Sequence, residues 1–144
     1  MVISAPNFSI ISHQVWPMNF SNSPLLMSWM ISSSGSKIIE FEKRFANYTN
    51  KKYASCVSNG SAALEIAIKS LNIGYGDEVI TPAFSIISNS NAIIKNLAKP
   101  ILVDSDPTTW NIDIERLKKK ISKKTKAIML PHIYGFPNDM DKVI

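Results

Sequence analysis

Cysteine occurs once in this sequence, as Cys56, so no disulfide can close within one chain and a disulfide-stapled secreted scaffold is excluded. Histidine occurs only at positions 13 and 132; both are isolated from Cys56 and from each other, and no metal site is expected. No apolar run approaches the ~20 residues of a membrane span. Lysine and arginine are missing before Lys37, so the cationic start of a secretory signal is lacking and a soluble, cytoplasmic protein is expected. Glycine is scarce and nowhere forms a dinucleotide fingerprint. Gly74-Tyr75-Gly76-Asp77 has no third glycine at the required spacing and precedes a strand-like run, which makes it a turn.

What is present is ordinary globular material. Hydrophobic residues make up 45% and charged residues 19% of the 144, enough apolar content for one core. The net charge of +5 bears on solubility and association rather than on chemistry. Its one concentrated source is Lys118, Lys119, Lys120, Lys123, Lys124 and Lys126, around the end of one predicted helix. Cations there complement the helix dipole, and no aromatic residue interleaves with them, so a wetted surface is expected and no nucleic-acid partner. Cys56 lies in the apolar stretch Tyr53 to Val57, where a small buried thiol is the expectation.

The chain divides into two unlike parts. Residues 1–35 are rich in Ser, Asn, Pro and Met, with Pro6, Pro17 and Pro24 breaking any long helix, and read as an irregular arm. Residues 36–144 are regular. Ile38, Phe41, Phe45 and Tyr48 mark one face of a helix ending near Asn50. Tyr53 to Val57 reads as a strand, Ser61 to Leu71 as a helix burying Ala63, Ile66, Ala67 and Leu71, and Glu78 to Thr81 as a second strand. Ile86 to Leu97 is predicted helical. Ile101-Leu102-Val103 and Ala127-Ile128-Met129-Leu130 are continuous apolar runs, the pattern of strands covered on both faces. Between them Asp113 can cap a helix from Ile114 to Ile121. Parallel neighbours need a crossover, and a helix is the usual one, so this alternation predicts an α/β fold with a mostly parallel sheet flanked by helices.

One segment carries chemistry. In Ser58-Asn59-Gly60-Ser61-Ala62-Ala63-Leu64 a predicted strand ends, a glycine permits a tight turn and a helix opens. The first amides of that helix have no intrahelical acceptor, and together with the Ser61 hydroxyl they suit an anion such as phosphate. The following lysine of a P-loop is missing. Asp104 and Asp106, with Pro107 after them, read as turn and cap residues rather than an acid-base pair. His132 follows an apolar strand, where ligands approach the carboxyl ends of parallel strands, and reads as a hydrogen-bonded structural histidine. Phe84 reads as core packing.

The segments in order resemble the DegT/DnrJ-type sugar aminotransferases. The resemblance rests on Ser32 to Glu42, Tyr53, Val57 to Leu64, Asn72 to Phe84, Ala98-Lys99-Pro100, Val103 to Pro107, Asn111-Ile112-Asp113, Lys124 to Ile128 and His132 to Gly135. It runs from about Ser28 to the last residue, and the Trp29 to Gly35 segment is most similar to perosamine-synthase-like members. It implies part of the large domain of a fold type I enzyme that binds pyridoxal 5'-phosphate. Such an enzyme moves an amino group, from a donor such as glutamate, onto a nucleotide-linked keto sugar, and works as a homodimer. By the resemblance Gly60 and Ser61 hold the cofactor phosphate. Position 86 carries, in the family, an aromatic residue stacked on the cofactor ring; here it is Ile86. The family's aldimine-forming lysine and the carboxylate that pairs with the pyridine nitrogen are expected beyond this stretch, since none of its lysines matches the lysine motif, so no transaminase activity is expected of it alone. Two alternatives stay open: a noncatalytic module pairing with an intact homologue, and part of a sugar dehydratase that uses histidine in place of the lysine.

Overall fold

The structure is a computed structural model that describes residues 2–5, 8–13 and 35–143. Its elements are β1 (Val2–Ala5), β2 (Phe8–His13), α1 (Gly35–Tyr48), α2 (Gly60–Ser70), β3 (Glu78–Pro82), α3 (Ile87–Lys95), β4 (Lys99–Val103), α4 (Ile114–Lys120), β5 (Thr125–Pro131), a 3-10 turn (Ile133–Gly135) and α5 (Met140–Val143). Residues 1–16 with 59–144 form one compact unit and residues 17–58 a second.

In the first unit the strands run in the order β1-β2-β5-β3-β4. β2, β5, β3 and β4 are parallel neighbours, and β1 turns back antiparallel on β2. The apolar runs of β3 and β5 feed both faces because successive side chains of a strand point to opposite sides. Val79, Ala127 and Met129 join Leu64 and Ile68 of α2 and Ala92 and Ile93 of α3 on one face. Ile80, Ile128 and Leu130 join Val103, Ile112 and Leu117 of α4 on the other. The result is a parallel sheet between two helical layers, the α/β fold that the alternation predicts.

Local chemistry sets the helix ends. Asn59 caps α2 by accepting from the Ala62 amide at 2.9 Å, and Asn72 closes it with a left-handed φ of 54°. Asp113 caps α4 by accepting from the Arg116 amide at 3.0 Å, as its position predicts. Lys118, Lys119 and Lys120 fall in the last turn of α4. At Gly74–Asp77 the chain turns, with Gly76 at φ 86° and the Asp77 carboxylate accepting from the Gly74 amide at 3.0 Å.

Four expectations are corrected here. α2 turns Leu64 and Ile68 into the core, while Ala63 and Ile66 are exposed and Ala67 and Leu71 half-buried, because the layer it joins includes α3 as well as the sheet. Among the described residues Tyr53 to Val57 pairs with no strand, because a short apolar run becomes a strand only where a neighbour offers its edge. Cys56 is accordingly exposed rather than buried; in the second unit its amide donates to the Glu42 carboxylate at 2.8 Å. The stretch 1–35, read as irregular, contains β1 and β2, where short runs around Ile3 and Ile10-Ile11 are long enough to pair. Residues 14–34, including Trp29 to Ser34, lie outside the described residues.

Candidate functional site

The start of α2 and the start of α3 come together at the carboxyl end of β3. Four residues separate the end of β3 at Pro82 from Ile87, and the Ser61 and Ser88 hydroxyls of the two first helical turns are hydrogen-bonded at 3.1 Å. Ligands of open α/β sheets bind at this end. Two of the predicted site residues, Gly60 and Ser61, open α2, and the third, Ile86, is the residue on which α3 begins. The Ser61–Ser88 bond therefore brings all three to one rim.

The donor set suits a phosphate. Gly60 and Ser61 are the first two residues of α2, whose amides have no acceptor within the helix. Asn59 spends its side-chain oxygen on the next amide, that of Ala62, and leaves those two donors for an outside acceptor. Both residues are exposed, and a Cβ added at Gly60 would meet nothing within 4 Å, so the backbone faces open space. Beside it Ile86 presents a side chain 63% exposed, without a side-chain cap on α3. The cradle fits a phosphate, and the adjoining isoleucine fits the face of an apolar ring.

Residues that the sequence did not single out complete the rim. Asn89 is buried, and its amide nitrogen donates to the Ser85 hydroxyl at 2.6 Å. Thr81 Oγ1 and Asn89 Oδ1, both buried, have no hydrogen-bond partner among the described residues. Asn111 ties the loop after β4 to the loop after β5, donating to the carbonyls of Phe136 and Pro137 at 3.1 and 3.0 Å. Next to it Trp110, a residue 57% exposed, takes φ 62°, and Phe84 packs on its ring at 5.3 Å between centroids. Phe84 is thus exposed at the rim rather than in the core, because the chain leaves the sheet before it. The partners of Asn111 and Phe84 lie far along the chain, beyond the reach of a local sequence pattern.

The remaining candidates have structural roles. His132 Nδ1 accepts from the Asn138 amide at 3.0 Å, which leaves the ring proton on Nε2. Asp106 accepts from the amides of Thr109 and Thr108 at 2.8 and 2.9 Å, and those bonds hold its carboxyl below the usual range. Asp104 pairs with Arg116 on the surface. A cavity of about 560 Å³ lined by Tyr75, Glu78, Lys99 and Lys124 sits at the opposite, amino ends of the strands, away from the cradle. Among the described residues no helix is long and apolar enough to cross a membrane, and no three His, Cys, Asp or Glu side chains are grouped to hold a metal ion.

A parallel sheet between helical layers, with an open helix N-terminus at its carboxyl rim, is the architecture of the large domain of fold type I pyridoxal-phosphate transferases. Residues 23–144 match the DegT/DnrJ/EryC1/StrS aminotransferase family, and the chain belongs to that family. It is 45% identical over 125 residues to the GDP-perosamine synthase of Escherichia coli, covering 87% of this chain and 34% of that protein. Among solved structures it is similar to an aminotransferase from Psychrobacter cryohalolentis, with 37% identity, a TM-score of 0.70 and coverage of 76% of this chain and 28% of that one. It is also similar to a GDP-4-keto-6-deoxymannose-3-dehydratase, with 35% identity, a TM-score of 0.68 and coverage of 74% and 29%. The chain spans about a third of the length of the curated relatives it matches.

Proposed function

We propose that this chain is the phosphate-holding front of a pyridoxal-phosphate-dependent enzyme that transfers an amino group from a donor such as glutamate onto a keto sugar carried by a nucleotide. The reading is carried by the start of α2, where the Gly60 and Ser61 amides, without an acceptor inside the helix, lie at the carboxyl rim of a parallel sheet. When bound, the cofactor supplies an electron sink for bonds at the amino-bearing carbon. The chain's own residues do the holding. The Gly60 and Ser61 amides and the Ser61 hydroxyl donate to the phosphate, and the dipole of α2 adds to the attraction. Ile86 packs on the ring face by dispersion, without the ~1 kcal/mol that an aromatic ring contributes by stacking. Covalent attachment and control of the ring's protonation need a lysine and a carboxylate. We assign both to the two thirds of the relatives' length that this chain does not span, and the complete enzyme to a cytoplasmic homodimer.

The similarity to a dehydratase favours a second reading, removal of a sugar hydroxyl on the same scaffold. One assay tests the first. Residues 23–144 replace the corresponding third of the Escherichia coli GDP-perosamine synthase, and the loaded chimera is given glutamate and a nucleotide 4-keto sugar. Appearance of an amino sugar is expected, with loss of amination on Ser61→Ala; a folded, loaded chimera that yields no amino sugar overturns the aminotransferase reading. The 144-residue chain alone is expected to give no turnover, and a robust rate from it would show that the lysine assignment is wrong.

A further inference from the structure

Ser88 is a residue that neither the family resemblance nor the helix-start motif assigns. It lies in the first turn of α3, and its hydroxyl meets that of Ser61 at 3.1 Å across the contact between α2 and α3. We infer that Ser88 is a positioning residue for the phosphate cradle, fixing the direction in which Ser61 donates its single hydroxyl proton. This inference rests on the reading of Gly60 and Ser61 as the cofactor-phosphate site.

A serine hydroxyl has one hydrogen to give and two lone pairs to receive. Without an anion, Ser61 can spend its hydrogen on Ser88. An anion resting on the Gly60 and Ser61 amides is a stronger acceptor than a neutral hydroxyl, so Ser61 turns its hydrogen outward. The Ser61–Ser88 bond then survives only with Ser88 donating to Ser61 Oγ. That donation polarises the Ser61 hydroxyl and strengthens its bond to the phosphate, as linked hydrogen bonds do. It also removes the rotational freedom that an isolated exposed serine would lose on binding.

The surroundings favour a fixed Ser88. The next residue, Asn89, is buried and anchors this turn through Ser85, and Ala92 and Ile93 seat α3 on the sheet. Ser61 is held by a helix whose Leu64 and Ile68 enter the same core. The two oxygens are therefore held by a shared apolar layer, and a ligand arriving at the rim finds Ser61 already backed.

The test is a double-mutant cycle on the 144-residue chain. The probe is pyridoxine 5'-phosphate, which carries the ring and phosphate but no aldehyde to react with surface lysines; its binding is read by calorimetry and by phosphorus resonance shift. Ser61→Ala is expected to weaken binding by about tenfold or more, the loss of a hydrogen bond to a charged group. Ser88→Ala is expected to weaken it by about fivefold, the loss of one neutral hydrogen bond. The double variant should bind no more than about twofold weaker than Ser61→Ala, because Ser88 acts only through Ser61. Ser88→Thr, which keeps the hydroxyl, should restore binding, and circular dichroism should show the same fold throughout. Unchanged affinity in Ser88→Ala, or losses that simply add, overturns the inference while leaving the cradle intact. Absence of binding by the unaltered chain overturns the cofactor reading and this inference with it.

Discussion

At Cys56 an exposed thiol sits near the Glu42 carboxylate in a segment whose amide is already bonded to that carboxylate. Residual burial and then the Glu42 charge push the thiol above its ordinary value. The thiolate is the reactive species, so Cys56 should alkylate more slowly at pH 8 than a free cysteine. Glu42→Gln, which keeps the hydrogen-bond acceptor, should speed iodoacetamide labelling by about twofold, as followed by mass spectrometry. Asp106 illustrates the opposite sign. Its carboxyl is held low by the Thr109 and Thr108 amides, so its contribution to folding is fully present above the ordinary value of 3.8 and is lost as pH falls below it through the folded value. Thermal melts from pH 6 to 2 should show Asp106→Asn losing less stability below pH 4 than the unaltered chain.

Which residues were legible follows from how far away their partners lie. The helix start at Gly60 and Ser61 could be read because it is a local property of a few residues. Ser88 could not, since its hydroxyl matters only through Ser61, 27 residues earlier, once α2 and α3 pack. Asn111 and Phe84 were illegible for the same reason: each meets its partner only after the loops at the rim are placed.

Among the elements, the positions of those with a regular pattern of their own were readable, while the buried face of α2 and the strands that depend on a neighbour were not. β3, β4 and β5, with α2, α3 and α4 between and around them, stand within a few residues of the predicted runs. Tyr53 to Val57 has strand composition but no edge to pair with, and β1 and β2 are strands despite a composition that reads as irregular. Two ends of the helices invite measurement. Asn59→Ala removes the cap of α2 and should cost about 1 kcal/mol in urea unfolding, along with weaker phosphate binding. α3 ends differently, on Leu97 at φ 64° with its side chain 71% exposed. A leucine there is strained and buries little, so Leu97→Gly should stabilise the chain by about 1 kcal/mol, read in the same unfolding curves.

For the whole molecule, surface chemistry dominates. Along α1, Ile38, Phe41, Phe45 and Tyr48 are exposed, with the Phe41 and Phe45 rings stacked at 5.8 Å, and Ala46 is the one residue of that helix that is buried. An apolar face of this kind on a soluble preparation promotes association. Phe41→Lys with Phe45→Lys should lower the mass measured by light scattering at high concentration and leave the unfolding of the α/β unit unchanged. The apolar rim around Ile86, Phe84 and Trp110 is exposed as well.

The central claim is that the first amides of α2 receive the phosphate of a vitamin-B6 cofactor. Nitrogen-proton correlation spectra of the labelled chain, titrated with pyridoxine 5'-phosphate, test it directly. The account predicts saturable shifts concentrated at Gly60 and Ser61, with smaller ones at Ile86 to Ser88. Shifts confined to the lysines at the end of α4, or none at residues 60 and 61, would contradict it.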